Sequence, residues 1–224
     1  MDVVIVGAGG HGKVVLDLLR TAGEHNLIGF IDADTSLART SVSGLEVLGP
    51  PNQLPRLRAK KISGAIVAIG DNRTRRKYAQ MLVEQGFELI NVVHPSAQVS
   101  PSAQIGCNVV IAAGAIVCAE TRLADSVIVN TAAVVDHECD IGEAAHICPA
   151  STLAGRVRIG EGAFIGLGAK IIPCISIGQH AIIGAGAVVI RDIPSNTTVV
   201  GCPAREIPRK NLVGTVPEAV AAAN

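Results

Sequence analysis

Two regimes of apolar spacing divide the chain. From residue 93 onward an aliphatic side chain falls at every sixth position: Val93, Val99, Ile105, Ile111, Val117, Leu123, Val129, Val135, Ile141, Ile147, Leu153, Ile159, Ile165, Ile171, Ile177, Ile183 and Val189. Val, Ile and Leu make up roughly a third of this segment, so an unbroken run of that length in one phase has a chance probability on the order of one in a hundred million. The residue after each is often glycine, as at 106, 142, 160, 166, 178 and 184. The fourth after is small or β-branched, as at Ala103, Ala115, Thr121, Ala133, Ala163, Ala181 and Ala187. Period six is not the 3.6 of a helix, and a meander needs turn clusters about every 8 to 12 residues. Short strands joined by tight bends satisfy it. If three six-residue sides close one triangular coil, each coil advances one strand spacing of about 4.8 Å, and about five coils stack between residues 96 and 192 with the in-phase aliphatics inside.

Residues 1–92 follow another rhythm. An apolar run at Val3 to Val6 precedes a helical pattern from His11 to Thr21, then Leu27 to Ile31, then a second apolar run from Ala65 to Ile69. A helix after Asp71 and Asn72 ends near Gln85 and Gly86, and a short strand lies near Leu89 to Val92. Strands alternating with helices predict a small Rossmann-like parallel sheet, about half of a two-lobed dinucleotide domain. The expected organisation is an α/β domain over residues 1–92, a parallel β-helix over 93–210, and an Ala/Val-rich tail over 211–224.

The first βα turn reads Gly7-Ala8-Gly9-Gly10-His11-Gly12, which spells G-x-G-x-x-G, and Asp32 stands about twenty residues on, as a dinucleotide fingerprint asks. An NAD-dependent oxidoreductase would also need a second lobe and a substrate domain, and the rest of this chain is repeat. The glycines then serve a simpler use: backbone N–H groups opening a helix can receive a diphosphate.

Composition narrows the partners. The 19 basic and 19 acidic side chains balance, so no long-range field favours nucleic acid or an anionic membrane. No apolar stretch approaches the roughly 20 residues of a spanning helix, and the chain opens on a strand-like run without a signal-peptide pattern, so a cytoplasmic location is expected. Aromatics are 2% of residues, which suits a core of uniform stacked aliphatic layers. The six cysteines form no C-x-x-C pair and no zinc spacing, and are expected to be reduced. A γ-type carbonic anhydrase would need three converging histidines. His94, His137, His146 and His180 include no pair eighteen residues apart, so no metal is expected. A purely structural solenoid would need neither the N-terminal domain nor the pair His137-Glu138.

Five stretches, in this order, carry a family resemblance: GAGGHG at 7–12, AIGDNRTRR at 68–76, VVHPSA at 92–97, VNTAAVVDHECDIGEAAH at 129–146 and VVGCPAR at 199–205. With them the chain resembles the hexapeptide-repeat, left-handed β-helix acyltransferases. More narrowly it is similar to the sugar O-/N-acetyltransferases that serve bacillosamine, perosamine and sialic acid. The resemblance implies the left hand of the coil, a homotrimer and acetyl-CoA as cosubstrate. It implies His137 as general base, a role suited to an imidazole with an ordinary pKa near 6.5, and Glu138 as the acid that orients the ring. Asn130 offers weaker polar support in substrate binding. His146 matches a contact to the thioester end of acetyl-CoA, and Gly155, Leu167 and Ala185 match a cofactor groove; Lys170 and Arg205 are candidates for CoA phosphates, with plain solvated cations as the alternative. In the N-terminal domain it implies a nucleotide-sugar site from Gly9, Gly10 and His11, Asp32 and Ala33, and Gly70, Asp71 and Asn72. Ala33 departs from the bacillosamine enzyme, which has a second acid there. The implied reaction is N-acetylation of a UDP- or GDP-linked amino sugar; the alternative is O-acetylation of sialic acid or a related sugar hydroxyl.

Overall fold

The computed structural model describes residues 1–207, so the 211–224 tail and the last residues of the expected β-helix lie outside it. The chain separates into two compact units, one of residues 1–92 and one beginning at Val93.

In the N-terminal unit the elements run β1 (Asp2–Val6), α1 (Gly10–Ala22), β2 (Asn26–Ile31), β3 (Ser41–Val42), β4 (Leu45–Gly49), α2 (Leu54–Ala59), β5 (Gly64–Val67), α3 (Asn72–Glu84) and β6 (Glu88–Leu89). The sheet order is β3-β4-β2-β1-β5-β6, and every pairing is parallel except β3 with β4. Val3 to Val6 are buried because β1 lies at the sheet centre, with side chains covered on both faces, which is why they read as a continuous apolar run. β3, β4 and α2 have no counterpart in the apolar spacing of the chain. A Ser-Gly turn was their signal: Ser43 and Gly44 both take positive φ, 48° and 78°, the two-residue geometry of a tight hairpin.

The second unit is a parallel β-helix built as expected from three stacks of two-residue strands. On the first face lie Val92–Val93, Val110–Ile111, Ile128–Val129, His146–Ile147, Phe164–Ile165 and Ile182–Ile183. The second face holds Gln98–Val99 through Val188–Val189, and the third holds Gln104–Ile105 through Ser176–Ile177. Through Val189 partners are eighteen residues apart in unbroken register, as in Val117, Val135, Leu153, Ile171 and Val189; the closing strand Thr198–Val200 pairs with Ile182 and Ile183 at a spacing of sixteen. The strand expected near Leu89 to Val92 is thus two: β6, and the first rung of the first face.

From Ile111 to Val189 every rung of the six-residue ladder is buried, and the small residues two positions before each rung fill the corners between them. The first three rungs differ: Val93 is 37% exposed and Val99 and Ile105 are partly buried, because each belongs to the outermost strand of its stack. At the corners the backbone turns left-handed at every sixth residue from Asn108 to Gly186. Only Gly114, Gly162, Gly168 and Gly186 in that series are glycine, so L-residues such as Glu138 (φ 57°) and Arg156 (φ 61°) hold a conformation that costs about 1 to 2 kcal/mol. The stacking maintains it, since each corner N–H is bonded to the neighbouring coil, Glu138 to the Ala119 carbonyl at 2.9 Å for one. Glycine just after a rung has a different cause. A Cβ at Gly142 would stand 2.6 Å from the Glu161 nitrogen, so coil-to-coil approach demands its absence.

Candidate active site

The edge between the second and third faces carries the expected catalytic pair, His137 and Glu138. His137 and Glu138 follow the rung Val135 and turn outward, because Cys139 must turn in to fill the corner. The His137 Nδ1 lies 2.9 Å from the Glu138 Oε2, and the Arg156 Nε, one coil on, lies 2.9 Å from the same oxygen. Arg156 first, and His137 second, hold the Glu138 carboxyl below its ordinary range. An ionised carboxylate has no proton to give, so His137 must donate at Nδ1, which leaves the lone pair on Nε2. That ring is 51% exposed, and the Asp136 Oδ1 accepts the His137 N–H at 2.7 Å, which fixes the turn beneath it.

Gly155 explains where the ring sits. It is the residue one coil beyond His137, and a Cβ there would stand 2.5 Å from both Cε1 and Nε2 of the imidazole. Its φ is not left-handed, so alanine fits the backbone, and the ring alone must give way. Gly155→Ala is therefore expected to lower kcat by about tenfold or more with little change in thermal stability, because it displaces the basic nitrogen and spares the coil. Steady-state kinetics beside a thermal melt check this.

The nearby thiols are poor nucleophiles. Burial pushes Cys139 up to about 11 and its Sγ–H points to the Ala154 carbonyl at 3.3 Å; burial, then Asp136, also raises Cys118. Both stay protonated, and the thiolate rather than the thiol is the nucleophile.

His146 stands elsewhere, facing outward on the first face, 8% exposed and edge-on to Phe164 at 5.3 Å. Its Nε2 is 3.1 Å from the Asn130 Nδ2. The Asn130 Oδ1 already accepts the Thr131 N–H at 2.8 Å, so the amide must donate to His146, whose Nε2 is thereby used as an acceptor. The two histidines are thus unlike: His137 offers an open nitrogen and His146 a committed one. Asn130 supports His146 rather than His137.

Within one chain the expected groove residues do not share an edge. Gly155 shares the edge of His137, whereas Leu167 and Ala185, eighteen apart and both exposed, follow first-face rungs. Twelve residues separate Gly155 from Leu167, two sides of a triangle rather than three. Arg156 is a partner of the His137-Glu138 pair that the hexapeptide pattern does not mark; its signal in the sequence is the distance of eighteen from Glu138.

In the N-terminal unit three loops meet at the carboxyl ends of β1, β2 and β5. Asp32 joins two of them: its Oδ2 accepts the Ala8 N–H at 2.7 Å and its Oδ1 the Asp34 N–H at 2.9 Å. Asp71 caps α3 by accepting the Thr74 N–H at 2.8 Å. Arg75 is fully buried and donates Nη1 to the Ile69 and Gly70 carbonyls at 3.0 and 3.1 Å and Nη2 to the Asn72 Oδ1 at 2.8 Å. Burial, then the Arg75 charge, lowers the His11 pKa to about 4, so the ring is neutral at physiological pH. A Cβ on Gly12 would strike the Gly7 carbonyl, while the space over Gly10 is open. The side chains of Asp32, Asp71 and Asn72 thus have internal work as loop fasteners. Gly10 and Ala33 are exposed, and Gly9, His11 and Gly70 partly so.

Among the described residues no group of three His, Cys, Asp or Glu side chains is disposed to hold a metal ion, and no helix is long and apolar enough to cross a membrane. All six cysteines are free thiols.

The coil of hexapeptide repeats behind a small α/β unit is the architecture that the resemblance to the hexapeptide-repeat acyltransferases implies, and the matches to known proteins place the chain in that class. Residues 2–82 match the PglD N-terminal domain, and residues 156–191 match the bacterial transferase hexapeptide (six repeats). Similarity is high to PerB from Caulobacter crescentus, solved with CoA and GDP-perosamine: 46% identity, TM-score 0.89, 93% of this chain and 98% of that one. That perosamine N-acetyltransferase is also solved with one histidine changed to asparagine or to alanine. The acetyltransferase domain of PglB from Neisseria gonorrhoeae is 40% identical with TM-score 0.87, over 92% of this chain and 99% of that one. UDP-N-acetylbacillosamine N-acetyltransferase of Bacillus subtilis is 41% identical over 115 residues, 50% of this chain and 51% of that protein, so this match spans about half the length of the relative. The chain belongs to the hexapeptide-repeat sugar N-acetyltransferase family.

Proposed function

We propose that the chain transfers the acetyl group of acetyl-CoA to the amine of a UDP- or GDP-linked amino sugar, with His137 as general base and Glu138 holding its ring. The observation that carries this is the His137 Nδ1 to Glu138 Oε2 contact at 2.9 Å, which leaves Nε2 as an open proton acceptor. In the step, the amine nitrogen forms a bond to the thioester carbon, the C–S bond breaks, the nitrogen loses its proton to Nε2, and CoA leaves as the thiolate. The related structures support the substrates: one is solved with CoA and GDP-perosamine, another with acetyl coenzyme A. His146, Gly155, Leu167 and Ala185 are assigned to acetyl-CoA. Gly9, Gly10, His11, Asp32, Ala33, Gly70, Asp71 and Asn72 are assigned to the nucleotide sugar, and Asn130 to the substrate. The two-edge distribution of the cofactor residues suits the homotrimer of this reading, in which an edge of one copy would face an edge of the next. A metal-free enzyme of the cytoplasm completes it.

The test is a thiol-release assay with acetyl-CoA against UDP- and GDP-linked 4-amino sugars, free sialic acid and free amino acids. Turnover is expected with a nucleotide-linked amino sugar. Turnover confined to free sialic acid would replace N- by O-acetylation.

A further inference from the structure

We infer that Arg156 is a positioning residue for the His137 base: from the next coil, its Nε holds the Glu138 carboxylate against the ring and sets the pH range in which the ring works. The inference rests on the reading of His137 as the base. Both backbones are fixed, since Glu138 and Arg156 are left-handed corners whose amides bond to the Ala119 and His137 carbonyls, each at 2.9 Å. Only side-chain rotation is left to decide whether Glu138 meets the ring. The Glu138 side chain is 40% exposed, so its one hydrogen bond to the imidazole competes with water. A guanidinium on the same oxygen restricts that rotation and adds a charge-assisted bond. Arg156 is itself an exposed side chain, so the effect is on geometry and charge near the ring rather than on stability.

The charge argument has a definite sign. Arg156 is a cation sharing an anion with a ring that becomes cationic when it takes a proton. Its removal leaves Glu138 wholly to the imidazolium, so the ring holds a proton at higher pH and is less available as a base. The other groups at this edge are Asp136 on the same turn, Glu120 at the corresponding corner of one adjacent coil, Cys118 and Cys139, whose thiols stay protonated, and Cys174 at the corner one coil beyond Arg156. Asp136 and Glu120 act on the ring in the same direction with or without Arg156.

The experiment compares pH profiles of kcat for the full chain with acetyl-CoA and the best acceptor of the panel, in Arg156→Ala, Arg156→Lys and His137→Ala. Arg156→Ala is expected to lower the plateau about fivefold and to move the acid limb up by roughly half a pH unit, with both KM values within about twofold. Arg156→Lys restores the acid limb, since it restores the charge, and recovers the plateau only in part, since an ammonium lacks the planar fork. A merely structural arginine would leave the limb in place. An Arg156→Ala profile that superimposes on that of the unaltered chain, while His137→Ala is inactive, overturns the inference alone. A His137→Ala variant that keeps its kcat overturns the base reading and this inference together.

Discussion

His137→Ala is expected to lower kcat by about a hundredfold or more while leaving KM for acetyl-CoA nearly unchanged, the signature of a lost general base. The size follows from the geometry. His137 alone among the two site histidines presents an unused Nε2, because the Nε2 of His146 is committed to Asn130. The thiols of Cys118 and Cys139 beside it are held protonated, so neither inherits the task. The residue is exposed and Gly155 leaves only a void where the ring stood, so the coil should fold as before and circular dichroism should be unaltered. A kcat within about threefold of the unaltered chain would mean that the amine arrives neutral and loses its proton to water.

The second large effect is on stability. Arg75→Met should destabilise the N-terminal unit by about 3 kcal/mol, because two carbonyls and the Asn72 side chain lose buried donors at once while the apolar stem is largely replaced. Among the described residues every α-helix lies in that unit, so ellipticity at 222 nm follows it directly. The same substitution has a proton signature. His11 has a folded pKa of about 4 and an unfolded value near 6.5, so between these the unfolded chain takes up a proton that the folded chain does not. Stability therefore rises with pH through this window and is lost as the pH falls from about 6.5 towards 4. Without the Arg75 charge the folded pKa rises and the window narrows, though burial, the larger cause, remains. An NMR titration of His11 that did not move would show that the guanidinium is not felt at the ring.

Much of the β-helix was legible because its rule is one-dimensional. A rung every six residues needs no knowledge of what packs where, and each coil repeats the test. The N-terminal unit was legible where strands were buried on both faces, as at Val3 to Val6, and illegible between residues 32 and 63, where short strands and a six-residue helix give no period. At the site, His137 and Glu138 stood out as a polar pair in an aliphatic repeat. Arg156 did not, because a surface arginine in a strand-turn repeat reads as solvated until the eighteen-residue coil is used to ask what lies over Glu138. Arg75 was hidden for the opposite reason: in NRTRRKYAQ it looks like one of several helix-surface cations, and only the packing shows that it points inward. Asp32 and Asp71 read as ligand carboxylates from their loops; that their oxygens also accept backbone amides is something no spacing rule reports.

The in-register stacking of coils gives the two properties of this unit different arithmetic. Folding reads the sequence modulo six, since any side of the triangle accepts an aliphatic rung. Chemistry reads it modulo eighteen, since only a residue on the same edge meets its partner. Six residues inserted between Glu138 and Arg156 would leave the ladder unbroken and yet carry Arg156 to the next edge, with Ala150 delivered to its place. A whole coil gained or lost as a block would keep every downstream side chain on its own edge and displace it only along the axis. Length variation in this fold is therefore cheap in units of one side for the core, and tolerable for the site only in units of three.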